Sequence, residues 1–288
     1  MNHKKVYPSY FILIPLVLYL VFFIVPSAMG LALSVTDWNS ASDQIHFVGL
    51  EHFQAIFTNK RNLLVIGNTL IFAIVTTIGK NAIGLGMALA LNKGFKSRNL
   101  LRTIFFFPVM LSPLILGLVF KSIFNPEFGV INDFLQLIGL GALKHDWLGD
   151  TGTALGAVIF VEVWRLVGQN MVIYIAGLQA ISDDYLEAAS IDGATSLQKL
   201  RYVIIPQLIP SITINLILNL IAGLKVFDVV FMLTNGGPAR KTEMLNTLVF
   251  KEYSSGRYGF STALGLVMFV FTCIIAFSVL KAMAKEED

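Results

Sequence analysis

Residues 154–181 read ALGAVIFVEVWRLVGQNMVIYIAGLQAI, and the 182–206 stretch that follows reads SDDYLEAASIDGATSLQKLRYVIIP. The first is apolar for longer than the roughly 20 residues an α-helix needs to cross a bilayer. The second is far more polar, so Ser182 marks the point where a membrane span gives way to an aqueous loop. Working outward, apolar stretches of spanning length recur at 9–35, 63–91, 103–124, 207–233 and 262–280. Helices are the choice for all six, because backbone amides in lipid must be satisfied within the segment and the alternation of a barrel strand is absent. Composition agrees: of 288 residues, 56% are hydrophobic, 14% are charged and 23 are Phe, and the mean hydropathy is +0.74. A soluble domain carries about 25% charged residues, which excludes an ordinary cytosolic enzyme. The expectation is an all-α integral membrane protein, one transmembrane domain over 1–288.

Six spans put both termini on one side, and the lysines and arginines say which. The termini and even-numbered loops carry Lys4, Lys5, Lys93, Lys96, Arg98, Arg102, Lys199, Arg201, Lys281 and Lys285. The odd-numbered loops, longer in total, carry Lys60, Arg61, Lys144, Arg240, Lys241, Lys251 and Arg257. Both termini are therefore expected in the cytoplasm, with the dense Lys93–Arg102 cluster carrying most of the weight. The apolar stretch after Lys4-Lys5 exceeds the 7–15 residues of a signal-peptide core and is read as a retained first helix. A net charge of +3 without a basic tract gives no reason to expect nucleic acid. Cys273 is the only cysteine, and His3, His46, His52 and His145 lack ligand spacing, so no metal site is expected.

Within 182–206, Asp183 and Asp184 sit where acids favour a helix start, and Asp184 with Glu187 has capping-box spacing. Tyr185, Leu186, Ala188, Ala189 and Ile191 supply apolar contact surface, and Gly193 the positive-φ stop. Ser196 is read as the cap of a second short helix, Leu197–Ile205, ended by Pro206. Such a knob can fill a groove on a partner or lie as an amphipathic connector in the interface. Four acids, Asp183, Asp184, Glu187 and Asp192, against two bases favour the former over an anionic leaflet.

Glu187-Ala188-Ala189, three residues, Gly193, nine residues, then Val203-Ile204-Ile205-Pro206 resembles the E-A-A-x3-G-x9-I-x-L-P motif of binding-protein-dependent ABC importer permeases. Val203 and Ile205 depart from it conservatively. Further stretches look like the carbohydrate branch, the maltose and glycerol-phosphate type: Asn125-Pro126, Phe128-Gly129 and Asn132; Val226-Phe227-Asp228; and Thr234-Asn235-Gly236-Gly237-Pro238 with Thr242. The resemblance implies the type I permease fold and no catalytic role for this chain. It implies that the 183–193 helix couples to a cytoplasmic ABC ATPase dimer through Asp184, Tyr185, Glu187, Ala188, Ala189 and Gly193. ATP and Mg would belong to that partner, and the sequence contains no G-x-x-x-x-G-K-[ST] of its own. It also implies a second, homologous permease subunit, an extracytoplasmic solute-binding protein, and a multi-pass place in a bacterial or archaeal inner membrane. The strand-free 236–261 loop, with Gly236, Gly237, Pro238, Tyr253, Arg257 and Tyr258, is the candidate contact for that protein or for substrate.

Six ionisable residues fall inside apolar segments: Lys80, Lys121, Glu162, Arg165, Lys225 and Asp228. Each central charge costs about 2.5–3.5 kcal/mol on insertion scales, so these should face protein or water. Glu162/Arg165 and Lys225/Asp228 have i,i+3 spacing and can neutralise each other on one helix face. They read equally as structural ion pairs or, with Trp164, Gln169, Asn170, Asn215 and Asn219, as the lining of a sugar pathway, since amides offer both donor and acceptor to hydroxyls. Lys80 and Lys121 are read as snorkelling to the interface. Gly79, Gly84, Gly86, Ala88 and Ala90 should let another helix approach the second span, and Pro108 and Pro113 should kink the third. The rival class is an ion-gradient-driven sugar transporter, with Glu162 or Asp228 carrying the proton.

Overall fold

The computed structural model describes residues 10–41, 44–92, 94 and 96–287, the last four of these as backbone only. Of the groups used above to orient the chain, Lys4, Lys5, Lys93 and the Lys285 side chain lie outside the described part, as does His3. Among the described residues the fold is helical, with one isolated antiparallel bridge between Thr36 and Phe47. In chain order the helices are α1 (Tyr10–Leu33), α2 (Glu51–Thr58), α3 (Lys60–Asn92), α4 (Arg98–Phe106), α5 (Pro113–Ile123), α6 (Val130–Leu137), α7 (Ala154–Gln179), α8 (Asp183–Ile191), α9 (Ser196–Gln207), α10 (Ile209–Leu224), α11 (Asp228–Leu233), α12 (Leu245–Ser254) and α13 (Tyr258–Glu287). Four are long and apolar enough to cross a membrane alone, α1, α3, α7 and α13; α4 with α5, and α9 with α10, bring the number to as many as six if each bent pair is one span.

The bends are sharper than proline kinks. The expected 103–124 span starts at Arg98 and turns through 99° between α4 and α5. Pro108 sits in a 3₁₀ turn, Phe107–Met110, and Ser112 is extended (φ −59°, ψ 135°) ahead of Pro113, as a residue before proline must be. Pro206 does not end its helix as expected. A wide turn over Leu200–Ile204, in which the Ile205 N–H donates to the Leu200 carbonyl, precedes it, and the displaced ladder spares the proline ring its clash. The break comes at Leu208, before Pro210, with a bend of 66°. The same device precedes Pro26 in α1, where the wide turn spans Leu20–Ile24. The expected 207–233 span is also divided: Lys225 (φ −97°, ψ 11°) closes α10, Phe227 (φ −139°, ψ −61°) leaves helical space, and α11 begins anew at Asp228.

The described chain forms two compact units, one of residues up to Asn62 with Leu248–Phe269, the other of Leu63–Thr247 with the remainder. In the second, Phe72, Phe120, Val158, Val161, Val230 and Met244 join α3, α5, α7 and α11 in one apolar core. Ala88, Met171, Tyr174, Leu178 and Leu208 form another. Close approach depends on glycine, as at Gly84 and Gly168. A Cβ at Gly84 would stand 2.7 Å from the Asn170 Cβ, and one at Gly168 would strike the Phe105–Phe106 backbone. Gly86, expected to share this role, faces open space.

Candidate coupling helix and buried polar interior

Ser182 caps α8: it is extended (φ −66°, ψ 138°), and its Oγ accepts the Asp184 N–H at 3.3 Å. The Asp184/Glu187 capping box expected from spacing is therefore not the cap; both acids lie inside the helix, where Asp183 and Asp184 complement the positive end of its dipole. Gly193 takes φ +76°, and the Ala194 N–H reaches the Ala189 carbonyl at 2.9 Å, closing the helix. The next cap is Thr195 rather than Ser196. Its N–H donates to Gln198 Oε1 at 2.7 Å while its hydroxyl accepts the Gln198 N–H at 3.4 Å, a reciprocal box. Lys199 Nζ donates to Ser190 Oγ at 2.5 Å, tying α9 to α8. The outer surface combines Asp184, Ala188 and Asp192 with Tyr185 and Ile191, which are 58% and 86% exposed, while Glu187, also exposed, lies at the edge of the inner face with Asp183, Leu186 and Ser190. Ala189 is half-buried. A groove of about 820 Å³ lies beneath, between α8, α9 and the end of α3.

Further along α7, Arg165 donates to Glu162 Oε2 from NH2 at 2.9 Å and from Nε at 3.3 Å. Lys80 of α3 brings its Nζ to 3.9 Å from Glu162 Oε1. Lys80 does not snorkel: its side chain is fully buried, and its Nζ has no hydrogen-bond partner. Two cations thus share one carboxylate. One turn pair onward, the Asn219 amide donates to Asn170 Oδ1 at 2.5 Å and to the Asn215 carbonyl at 2.7 Å. Tyr174 donates to Asn81 Oδ1 at 2.5 Å. Asn215 is 1% exposed, and its Nδ2 has no partner.

The proposed pathway residues therefore divide. Glu162, Asn170, Asn215 and Asn219 are buried; Trp164, Gln169, Lys225 and Asp228 are exposed; Arg165 lies between. Trp164 meets Phe120 edge-on at 5.2 Å. Lys225 and Asp228 flank the break between α10 and α11, so they share no helical face and form no ion pair with each other. Asn81 and Tyr174 were missed, and Lys80 misread as snorkelling, by reading one span at a time, because their partners lie on other helices.

Thr234–Thr242 forms a locked turn. Thr242 Oγ1 donates to the Gly237 carbonyl at 2.5 Å, Gly236 has φ +80°, and Gly237–Pro238 is cis. Asn68 of α3 holds it by donating to the Arg240 and Glu243 carbonyls at 2.9 and 3.2 Å. The 236–261 stretch is not all loop, since it contains α12. In the first unit Tyr253 packs on Tyr258 at 5.0 Å, and Arg257 pairs with Glu252. The Asn125 and Asn132 side chains order the loop between α5 and α7: Asn125 Oδ1 accepts the Glu127 N–H at 2.9 Å, and Asn132 Oδ1 accepts Trp147 Nε1 at 2.9 Å.

Long apolar helices with broken spans and a capped polar knob define a multi-pass membrane transport subunit. Residues 82–285 match the family described as binding-protein-dependent transport system inner membrane component, and the chain belongs to it. It is 35% identical to the multiple sugar-binding transport system permease protein of Streptococcus mutans, over the whole of both chains. It is 29% identical to the trehalose/maltose transport system permease protein of Thermococcus litoralis, covering 100% of this chain and 97% of that one. The fold matches a bacterial alginate ABC transporter, solved in complex with an alginate pentasaccharide-bound periplasmic protein, at a TM-score of 0.84 and 22% identity, over 97% of this chain and 94% of that one. The chain is a carbohydrate-branch ABC importer permease of the inner membrane.

Proposed function

We infer that this chain forms half of the translocation pathway of an ATP-driven importer for a sugar, oligosaccharide or related polyol or glycerol-phosphate compound. Six spans with both termini in the cytoplasm place α8 on the inner face, where a separate ABC ATPase dimer holds ATP and Mg. A second, homologous permease completes the pathway, and an extracytoplasmic solute-binding protein docks on the odd-numbered loops, Gly236-Gly237-Pro238, Tyr253 and Tyr258 among them. The apolar surface of α1, on which no residue is buried within the chain, supports a partner helix or lipid there.

The observation that carries the reading is α8 itself: a helix fixed at both ends by Ser182 and Gly193 and anchored to α9, yet presenting Tyr185 and Ile191 outward with an exposed Glu187 at the groove edge. Such a knob transmits force without losing its shape. Glu187 is assigned to a basic group on the ATPase. Substrate passes near Glu162, Arg165 and the Asn170–Asn219 pair, whose amides suit hydroxyls. The test is Glu187→Arg in the reconstituted transporter. Insertion should persist while ATP hydrolysis no longer drives uptake; coupled transport at the unmodified rate would dismiss the assignment.

A further inference from the structure

A pocket of about 500 Å³ opens in the first unit, walled among others by Asp37, Trp38, Asn39, Asn59, Asn62 and Arg257. That volume is in the range of small-molecule sites. Its walls are fixed by backbone bonds: Ser40 N–H to the Gly256 carbonyl at 2.9 Å and Gly259 N–H to the Trp38 carbonyl at 2.8 Å. His52 Nε2 lies 2.8 Å from the Thr36 carbonyl, and the Trp38 ring leans on Tyr258 at 4.6 Å between centroids. The cavity is therefore held open before any ligand arrives.

Its polar groups are incompletely used. Asn62 is 6% exposed and spends its Nδ2 on the Ala55 carbonyl at 3.1 Å, but among the described residues no donor reaches its Oδ1. With Asn62 in the pocket wall, that oxygen stays free to accept a hydrogen bond from a ligand. Asn59 accepts the Arg61 N–H at 2.9 Å through Oδ1, which leaves its NH₂ to donate. Charge narrows the ligand further. Arg257 is paired with Glu252. The His46 backbone N–H holds the Asp37 carboxyl below its ordinary range, so it stays ionised. The wall thus offers no spare cation and one standing anion, which disfavours phosphates and acid sugars.

We propose that this pocket binds one neutral saccharide ring, stacked against Trp38 and hydrogen-bonded by Asn62 and Asn59. On the six-span topology it belongs to the external loops, so the proposal rests on that reading and adds a sugar contact made of residues outside the intramembrane polar groups. A glycolipid headgroup presents the same ring as a free sugar, and lipid composition separates the two sources.

The test uses the whole transporter in phosphatidylcholine nanodiscs without its binding protein, with saturation-transfer NMR of methyl α-D-glucoside, methyl α-D-galactoside and glucose 6-phosphate. At least one neutral glycoside should bind, and more tightly than the phosphate. Asn62→Leu and Trp38→Ala should each weaken it about three- to tenfold, as loss of one good contact does. Competition by glucosyl diacylglycerol added to the nanodiscs would extend the site to lipid headgroups. If Trp38→Ala fails to assemble, Asn62→Leu decides. No binding of either glycoside, equal binding by the Asn62→Leu variant, or a preference for the phosphate would overturn the proposal. Uptake by the unmodified transporter with its binding protein is measured in parallel, so failure of the transport reading itself would be seen separately.

Discussion

Glu187 and Glu162 are the same residue type on neighbouring helices, and they meet opposite surroundings. Glu187 stands in the open on α8, where removing it leaves nothing uncompensated within the chain. Glu162 is 2% exposed between Arg165 and Lys80, where among the described residues it is the acid paired with both cations. The first can be optimised for a partner; the second is held in place by the cost of a charge without its counter-ion. Exposure, rather than residue type, decides whether a carboxylate is free to meet a partner or is needed by its neighbours within the fold.

The contrast is broken most directly at Glu162. Replacing it with Gln should strand Lys80 and Arg165 and cost about 3–5 kcal/mol, read as a large loss of folded protein and a lower thermal midpoint in detergent. An unchanged midpoint would mean that water or another group neutralises the pair. Glu187→Arg is the converse: stability should move by less than about 0.5 kcal/mol, while affinity for the ATPase, measured in detergent, falls more than about tenfold, as for a broken interfacial charge pair. Between them stands the Asn170–Asn219 bond. Asn219→Leu should cost about 1–3 kcal/mol by stranding the Asn170 amide, and the double Asn170→Leu/Asn219→Leu variant should cost less than the sum of the singles. Additive costs would mean the amides act independently. A local effect is expected of Ser182→Ala, about 1 kcal/mol, seen as faster hydrogen exchange at the first amides of α8 with the core untouched.

The same contrast explains what could be read from the sequence. Helix α8 was legible because its determinants are local: acids at the start, Gly193 at the stop, apolar residues at helical spacing. Even there the cap shifted by two residues, since Asp184 and Ser182 both satisfy the preference for a short polar side chain, and spacing alone does not choose between them. The Glu162/Arg165 pair was legible for the same reason, as one helix face. Lys80 was not, because only the crossing of α3 and α7 reveals that it ends beside Glu162 rather than at the membrane surface. Lys225/Asp228 failed in the other direction. An i,i+3 rule presupposes an unbroken helix, and the chain bends between them. Hydropathy counted apolar residues faithfully but is blind to direction, so the 99° turn before Pro113 was invisible to it.

The wide turn at Leu200–Ile204 carries a last implication, for tolerance to insertions and deletions. It is one residue too many for a regular helix, stored directly ahead of Pro206. Deleting any single residue there would restore ordinary winding and drive the pyrrolidine ring into the turn before it. A segment whose reading frame in space depends on one surplus residue should accept substitutions far more readily than changes in length.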